Sequence, residues 1–350
     1  MENQKHEFWV DDVRGVACIL VVLGHFFQSM VRAMIIPDNS IYEWFNRTIY
    51  YFHVPLFFIC SGYLYQKTEC INSVRACEWW VGKIKKKLLT LGVPYVVFSL
   101  ITWGLKNGFF STINSETGGI VESLLLHPMS PYWFLYILFF IFIATPIVKE
   151  RKSIKVLLGM AIGLRLITEI FDTWRGCFYI LEKIGYYEVW FVLGMALWMY
   201  KEDFNEVFFW HRKPIAKICS LGAGVLFVTS SIFISIFKIE VPFIGFFMGV
   251  IACSGLVIFT QQQCKIGKRS VVLKYLSGYT LEIFLMHTIF AAGMRSILLR
   301  LGVQNWGIHF IIGIGISFVG PIVIAEIFKK SKYLEIFIRP EKLLKLDKNK

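Results

Sequence analysis

Charged residues are scarce in this sequence, and their scarcity excludes most soluble folds. Only 17% of the 350 residues are Asp, Glu, Lys or Arg, whereas 56% are hydrophobic and the mean hydropathy is +0.59. A soluble chain of this length could not bury so much apolar surface in one core. The aromatic share of 17% fits helices that face lipid and carry rings at the headgroup level. The composition therefore indicates an integral membrane protein.

Paired cysteine spacing, linkers and repeats are also missing. The eight cysteines show no spacing typical of a disulfide framework or a zinc site, so we expect no bound metal. No Ser/Gly-rich linker divides the chain and no repeat of the kind that marks many transporters is visible, and we expect no appended soluble catalytic domain. We therefore expect a single membrane domain over residues 1–350, with its chemistry among its helices.

Apolar stretches long enough to cross a bilayer recur along the whole chain. They predict an all-α protein with about ten transmembrane helices. The predicted spans lie near 13–31, 48–65, 88–105, 132–148, 156–171, 187–200, 215–237, 241–260, 278–294 and 306–328. The sixth is short, and a start near Cys177 would lengthen it. The first is too long for a signal peptide and lacks a cleavage site behind it, so we expect it to remain in the membrane.

The basic residues are unevenly distributed between the two sides of the predicted bundle. The formal net charge is +13. With ten spans and a cytoplasmic N-terminus, Lys and Arg favour the inner segments over the outer ones by roughly three to one. This bias predicts that both termini are cytoplasmic, and it fits loops that face anionic lipid rather than nucleic acid. We therefore expect a multi-pass protein of the bacterial cytoplasmic (inner) membrane, with the lipid bilayer around it and no nucleic-acid partner.

Polar residues in the first predicted span share one face. Arg14 and His25 are eleven residues apart, which puts them about 20° from each other around a helix and about 16 Å apart along its axis. The same stripe carries Asp11, Gln28, Ser29 and Arg32. Ionisable groups at bilayer depth are costly and usually mark function, so the stripe predicts the lining of a cavity. The alternative is that His25 bonds a neighbouring helix while Arg14 extends to the interface.

Two further predicted spans carry a histidine on a polar face. The second span has Asn46, Tyr50, His53 and Ser61 at helical spacing. Pro55 is predicted to kink this span and to free backbone carbonyls near His53. The ninth span carries Ser277, Thr280 and His287 on one face. A lone intramembrane histidine is often simply packed, whereas three on helices that can converge favour a shared site.

The fifth predicted span and the segment after it carry the other charged groups near the membrane. Arg165 and Glu169 are four residues apart, which predicts an intramembrane salt bridge. The following segment mixes charged and aromatic residues, namely Asp172, Trp174, Arg175, Glu182, Tyr186, Tyr187 and Glu188. Sugar sites and interfacial aromatic belts both have this composition, and the sequence leaves both open.

Several motifs of the chain resemble those of the acyltransferase-3 family of membrane O-acyltransferases. The family's first helix has Asp-x-x-Arg-Gly-x-Ala and then histidine in the spacing Arg-x10-His. The matching residues here are Asp11-Asp12-Val13-Arg14-Gly15-Val16-Ala17 followed by Gly24-His25. The family's second helix ends in Phe-Phe-x-x-Ser-Gly, and the chain has Phe57-Phe58-Ile59-Cys60-Ser61-Gly62.

Later segments continue the resemblance in the same order. Lys83-Ile84-Lys85-Lys86-Lys87-Leu88-Leu89, leading to Pro94-Tyr95, is similar to the basic segment before the family's third helix. Trp133-Phe134-Leu135-Tyr136 resembles its Trp-Phe-Leu run, and Thr280 to His287 resembles a late Ser-x-x-x-Tyr-Leu-x-His segment. Together these motifs cover most of the chain.

The resemblance implies a reaction and its substrates. It implies acyl-CoA, with acetyl-CoA as the expected form, as a donor that is not permanently bound, and a sugar, surface polysaccharide or glycolipid hydroxyl as acceptor. His25 is expected to act as general base, with a transient acyl-histidine as the alternative. Arg14 is expected to bind the CoA phosphates together with the lysines of the basic segment, which are Lys83, Lys85, Lys86 and Lys87. Alternatively, Asp11 pairs with Arg14 and holds it in place.

The remaining polar candidates are expected to orient the acyl acceptor or to stabilise the oxyanion. They are His53, Ser61, Trp133 and His287, and the sequence does not choose among them. A second hypothesis is a transporter or flippase for a lipid-linked saccharide, with the polar stripe as its pathway. A third, a purely structural membrane partner, leaves Arg14 and His25 unexplained.

Overall fold

The chain is helical throughout the part that the computed structural model describes. Residues 6–71, 76–108, 118–170, 179–209 and 214–340 are described, except for the side chains of 69–71, 76–81 and 332. Every regular element in these ranges is a helix, which confirms the predicted all-α class.

Fifteen α-helices are numbered here in chain order within the described residues. The first seven are α1 Phe8–Arg32, α2 Ser40–Tyr50, α3 His53–Ile71, α4 Ala76–Lys87, α5 Val93–Gly108, α6 Trp133–Ala144 and α7 Arg151–Ile170. The others are α8 Tyr179–Met199, α9 Lys201–Phe209, α10 Ile215–Ile236, α11 Ile244–Lys265, α12 Val271–Leu276, α13 Thr280–Arg300, α14 Trp306–Lys329 and α15 Lys332–Glu335. A π-helical segment, Leu88–Gly92, joins α4 to α5, and a 3-10 turn, Ser277–Tyr279, joins α12 to α13.

Six helical stretches of the described chain are long and apolar enough to cross a bilayer. They are Phe8–Arg32, Gly82–Gly108, Ile215–Ile236, Ile244–Lys265, Val271–Arg300 and Trp306–Lys329. Each of the ten predicted spans overlaps a helix, and the other four correspond to α3, α6, α7 and α8. The chain is therefore a multi-pass helical protein, while the count of ten crossings stays a prediction.

The second predicted span differs from the structure at its start. The chain forms two helices here, with α2 ending at Tyr50 and α3 beginning at His53, rather than one span over 48–65. Pro55 lies in the first turn of α3, where its missing N–H costs no helical hydrogen bond, so it does not kink the span as predicted. His53 Nδ1 donates to the Ile49 carbonyl oxygen at 2.7 Å, which satisfies a carbonyl beside the break.

The fourth and sixth spans differ from their predicted lengths. α6 has 12 residues and ends at Ala144, so the predicted 132–148 is too long. Thr145 is extended because the following residue, Pro146, disfavours the helical conformation before it. α8 begins at Tyr179, earlier than the predicted start at residue 187, while Cys177 lies outside the described residues.

Two glycines allow α3 and α8 to cross at close range. A Cβ atom on Gly62 would lie 1.9 Å from the Phe191 carbonyl oxygen, and one on Gly194 would lie 2.0 Å from the Ile59 carbonyl oxygen. Small residues permit this backbone approach in membrane bundles. α1 in turn packs against α3, α11 and α13, which places its polar stripe inside the bundle.

Candidate active site

The first helix holds the two predicted residues Arg14 and His25 in one rigid element. α1 is continuous over 25 residues, so their predicted separation of about 16 Å along the axis applies. Both side chains are partly buried. Within the described residues no hydrogen bond or ion pair of Arg14 is found, and the Asp11 carboxylate contacts His6 instead. The alternative pairing of Asp11 with Arg14 is therefore not formed, and the Arg14 guanidinium is left with donors for an anion.

Two buried ion pairs stabilise the end of the bundle that carries Arg14. Neither pair was predicted from the sequence. Arg269 donates to Asp12 from Nε at 2.9 Å and from Nη2 at 2.6 Å, and these bonds raise the pKa of Arg269 above its usual value. Arg339 donates to Glu282 from Nε at 2.7 Å. Both carboxylates are almost fully buried. Removing one partner of such a pair costs about 3–5 kcal/mol, so these pairs hold α1 and α13 to their neighbours.

His25 and His287 are brought together from opposite ends of the sequence. Their ring centroids lie 5.3 Å apart, on α1 and α13. His287 Nδ1 lies 2.9 Å from the Ile283 carbonyl oxygen and 3.0 Å from the Phe284 carbonyl oxygen, so it carries the ring proton. His287 Nε2 is buried and has no partner in the described structure. An imidazole nitrogen able to accept a proton or a hydrogen bond therefore lies beside His25.

A cavity of about 460 Å³ opens at these two histidines. Its lining includes four cations, which are Arg32, Lys106, Arg295 and Arg300. No Asp or Glu is found among the lining residues of the described chain. The cavity is therefore electropositive and favours a reactant that carries negative charge. Arg32 lies on the polar stripe that predicted a cavity lining, whereas Lys106, Arg295 and Arg300 were not predicted to join it, because nothing in their spacing shows that they converge.

His53 does not reach this cavity directly. It is buried, and its ring packs edge-on against Tyr50 with centroids 4.5 Å apart. The Tyr50 hydroxyl accepts a hydrogen bond of 2.8 Å from Gln28 Nε2, and Gln28 lines the cavity. His53 thus contacts the Tyr50–Gln28 pair and is not itself part of the cavity lining.

The other predicted orienting residues lie away from the two histidines. Ser61 is partly buried on α3, and Trp133 packs its ring against Tyr187 with centroids 5.3 Å apart. Neither residue lines the cavity that contains His25. Of the predicted orienting set, the structure brings only His287 next to His25.

The predicted phosphate-binding lysines divide into two pairs. Lys83 is buried and donates to the Tyr65 hydroxyl, and Lys87 Nζ lies 3.4 Å from the centre of the Phe142 ring. Lys85 and Lys86 are exposed. The four lysines therefore do not form one open basic surface, because helical spacing turns Lys83 and Lys87 toward the bundle.

These features define a multi-pass helical membrane protein with an internal, electropositive site at two neighbouring histidines. Residues 7–326 match the acyltransferase-3 family, described as an acyltransferase domain. The chain belongs to this family.

Two curated relatives match part of the chain. The nodulation protein NolL of Mesorhizobium japonicum is 25% identical over 156 residues, which cover 44% of this chain and 39% of that protein. The NolL protein of Sinorhizobium fredii is 29% identical over 135 residues, covering 39% of this chain and 34% of that protein. The chain thus spans well under half the length of these relatives. No solved structure matches it significantly.

Proposed function

We propose that the protein transfers an acyl group, with acetyl as the expected one, from acyl-CoA to a hydroxyl of a sugar, surface polysaccharide or lipid-linked glycan. The observation that carries the proposal is the pairing of His25 with His287 at a cavity inside the bundle. Acyl transfer to a hydroxyl needs a base that takes the hydroxyl proton and a donor that stabilises the oxyanion. The family supplies the reaction class.

The donor is proposed to approach from the end of α1 that carries Arg14. With ten crossings and both termini in the cytoplasm of a bacterial inner membrane, this end faces the compartment that holds acyl-CoA. Arg14 has no partner among the described residues, and Lys85 and Lys86 are exposed on the same side. These groups suit the CoA phosphates, and the pantetheine arm would then run along the stripe toward His25.

The chemical step follows from the position of His25. Its neutral imidazole takes the proton of the sugar hydroxyl while the hydroxyl oxygen attacks the thioester carbonyl carbon. The resulting tetrahedral oxyanion collapses, the carbon–sulfur bond breaks, and the CoA thiolate takes the proton from His25. Products are the sugar ester and CoA. The alternative is attack by His25 itself and an acyl-histidine, which labelled acetyl-CoA without a sugar would leave on the protein.

The proposed reaction predicts that label from acetyl-CoA enters a glycan. Membranes that contain the protein should transfer the acetyl label into alkali-labile glycan or glycolipid, because esters of sugar hydroxyls are cleaved by base. The measurement is label released by mild alkali, compared with membranes that lack the protein. Movement of a saccharide across the membrane without labelling would contradict the proposal and favour the transporter.

A second prediction concerns Arg14. We expect Arg14→Gln to raise the KM for acetyl-CoA by about 10–100-fold, because hydrogen bonds to charged groups contribute about 1.5–3 kcal/mol. The KM for the sugar should change little. Steady-state kinetics with each substrate varied in turn measures both values.

Arg151→Gln is the matched control for charge on the same predicted side. Arg151 is exposed and pairs with Asp203 at 2.6 Å, so its loss removes one positive charge away from Arg14. An equal rise in KM for both variants would mean that Arg14 acts only through the overall charge of that surface.

A further inference from the structure

A second cavity, of about 400 Å³, lies between helices α2, α3, α7, α8 and α11. Its lining combines charged groups with aromatic rings, among them Arg47, Tyr51, Arg165, Glu169, Tyr186 and Trp190. Three residues of the mixed charged and aromatic segment line it, namely Tyr186, Glu182 and Tyr187. Glu188 does not, and Asp172, Trp174 and Arg175 lie outside the described residues.

Three buried polar atoms at this cavity have no hydrogen-bond partner in the described structure. They are Arg165 Nε, Glu169 Oε2 and Trp190 Nε1. The Arg165 side chain is 2% exposed, and Trp190 is 1% exposed. An unsatisfied buried polar group costs about 1–3 kcal/mol, so three at one cavity indicate a ligand with both donors and acceptors.

The charges of this cavity compensate one another. Arg165 Nη2 donates to Glu169 Oε1 at 2.8 Å, as predicted from the sequence, and Lys183 lies 3.3 Å from Glu182. Arg47 faces Glu240 at 3.7 Å. Each cation at the cavity thus has a carboxylate partner, which favours a neutral ligand over a phosphate.

Aromatic side chains also line this cavity. The Arg165 guanidinium lies 3.2 Å from the centre of the Tyr186 ring, which fixes that ring at the cavity. Tyr187 packs against Tyr186 with centroids 5.0 Å apart. Aromatic rings provide large, rigid apolar contact area with a polar edge. A pyranose has apolar C–H faces, which suit contact with aromatic rings. It also carries hydroxyls at its rim, which suit the unpartnered donors Arg165 Nε and Trp190 Nε1 and the unpartnered acceptor Glu169 Oε2.

One hydrogen-bonded pair connects this cavity to the histidines. Tyr50 lines the second cavity, and its hydroxyl accepts from Gln28, which lines the first. The two cavities are therefore neighbours across the Tyr50–Gln28 contact.

We propose that the second cavity is a saccharide-binding subsite, which holds a neutral sugar unit of the glycan whose neighbouring unit is acylated at His25. The assignment rests on the proposed function for the identity of the reaction. Sugar hydroxyls accept hydrogen bonds from Arg165 Nε and Trp190 Nε1, and one hydroxyl donates to Glu169 Oε2. The sugar ring lies beside Tyr186, at the side of its ring that Arg165 leaves open.

The test uses the full chain in lipid nanodiscs and methyl glycosides of glucose, galactose, mannose and N-acetylglucosamine as probes. Saturation-transfer difference NMR measures binding. We expect at least one glycoside to bind, and Glu169→Gln to weaken its binding about tenfold, because the amide replaces the accepting oxygen by a donor. Glu188→Gln is the matched control, since Glu188 lies on α8, bonds Thr145 and is absent from the cavity lining.

The outcomes separate this subsite from the acyl-transfer reaction. Glycoside binding that depends on Glu169 without any transfer of label would support the subsite and contradict the proposed function. Transfer of label with the same sugar KM in wild type and Glu169→Gln would overturn the subsite alone. Absence of binding by all four glycosides would mean that the cavity holds only water. If Glu169→Gln does not fold, Trp190→Phe, which removes only one donor and part of a ring, replaces it with the same expected loss.

Discussion

We expect His25→Gln to lower the rate of acyl transfer by about 10²–10⁴-fold, the usual contribution of a positioned general base. Glutamine keeps hydrogen-bonding capacity and approximate size but cannot take a proton near neutral pH. His25 lines the cavity and its ring lies 5.3 Å from that of His287. Binding of acetyl-CoA should change little, because Arg14 and the exposed lysines lie at the other end of the stripe. Initial rates of label transfer at matched protein levels give the result.

His309→Gln is the matched control for a buried histidine. His309 lies on α14, its Nε2 bonds the Val303 carbonyl oxygen at 2.8 Å, and it is absent from the lining of both cavities. Its replacement should leave transfer within about twofold of wild type, as expected for a side chain without a part in the chemistry. Equal losses in the two variants would show that His25 only maintains the bundle. Near-normal transfer by His25→Gln would exclude it as the base.

We expect Gly62→Ala to lower the stability of the folded bundle by about 3 kcal/mol, at the upper end of the usual cost of overpacking. The new Cβ atom would lie 1.9 Å from the Phe191 carbonyl oxygen, and that atom belongs to the backbone, which cannot rotate away. α3 and α8 would have to separate, and Gly194 on α8 shows the same close approach from the other side. The midpoint of thermal unfolding, followed by size-exclusion chromatography in detergent, measures the loss.

Gly104→Ala controls for the helical propensity of alanine. A Cβ atom on Gly104 in α5 would have no atom within 4 Å, so alanine there should be neutral or stabilise the protein by up to about 1 kcal/mol. Unchanged thermal stability in Gly62→Ala would mean that the two helices can separate without loss, and that the crossing does not depend on Gly62.

The positions of the helices were predictable because each helix depends on a continuous apolar stretch of the sequence. Each predicted span overlaps an observed helix, since a long apolar run in a bilayer must satisfy its own backbone hydrogen bonds. The predicted pair Arg165 and Glu169 was confirmed for the same reason, because residues four apart on a helix are neighbours. The errors in the predicted spans lie where one helix ends and the next begins. Pro55 starts α3 instead of kinking a longer span, and the tertiary structure chose between these two uses of proline.

The site was only partly predictable. The face shared by Arg14 and His25 follows from helical geometry, and so does the choice of His287 as a polar residue on another span. That His287 meets His25 while His53 contacts Tyr50 depends on how three helices pack. For the lysine segment, the sequence predicted an arrangement that the structure does not show. Its composition suggested one basic surface, whereas packing turns Lys83 and Lys87 toward the bundle.

The sequence by itself determined that this is a helical membrane protein, where its helices lie, and that α1 carries a polar stripe with Arg14 and His25. These properties depend on composition and on polar and apolar patterns that repeat every few residues. Only the tertiary structure decided the partners across the bundle, such as Asp12 with Arg269, His25 with His287 and Gly62 with the Phe191 backbone. The physical reason is that contacts between helices distant in the chain depend on the order and depth of helix packing, which no local pattern records.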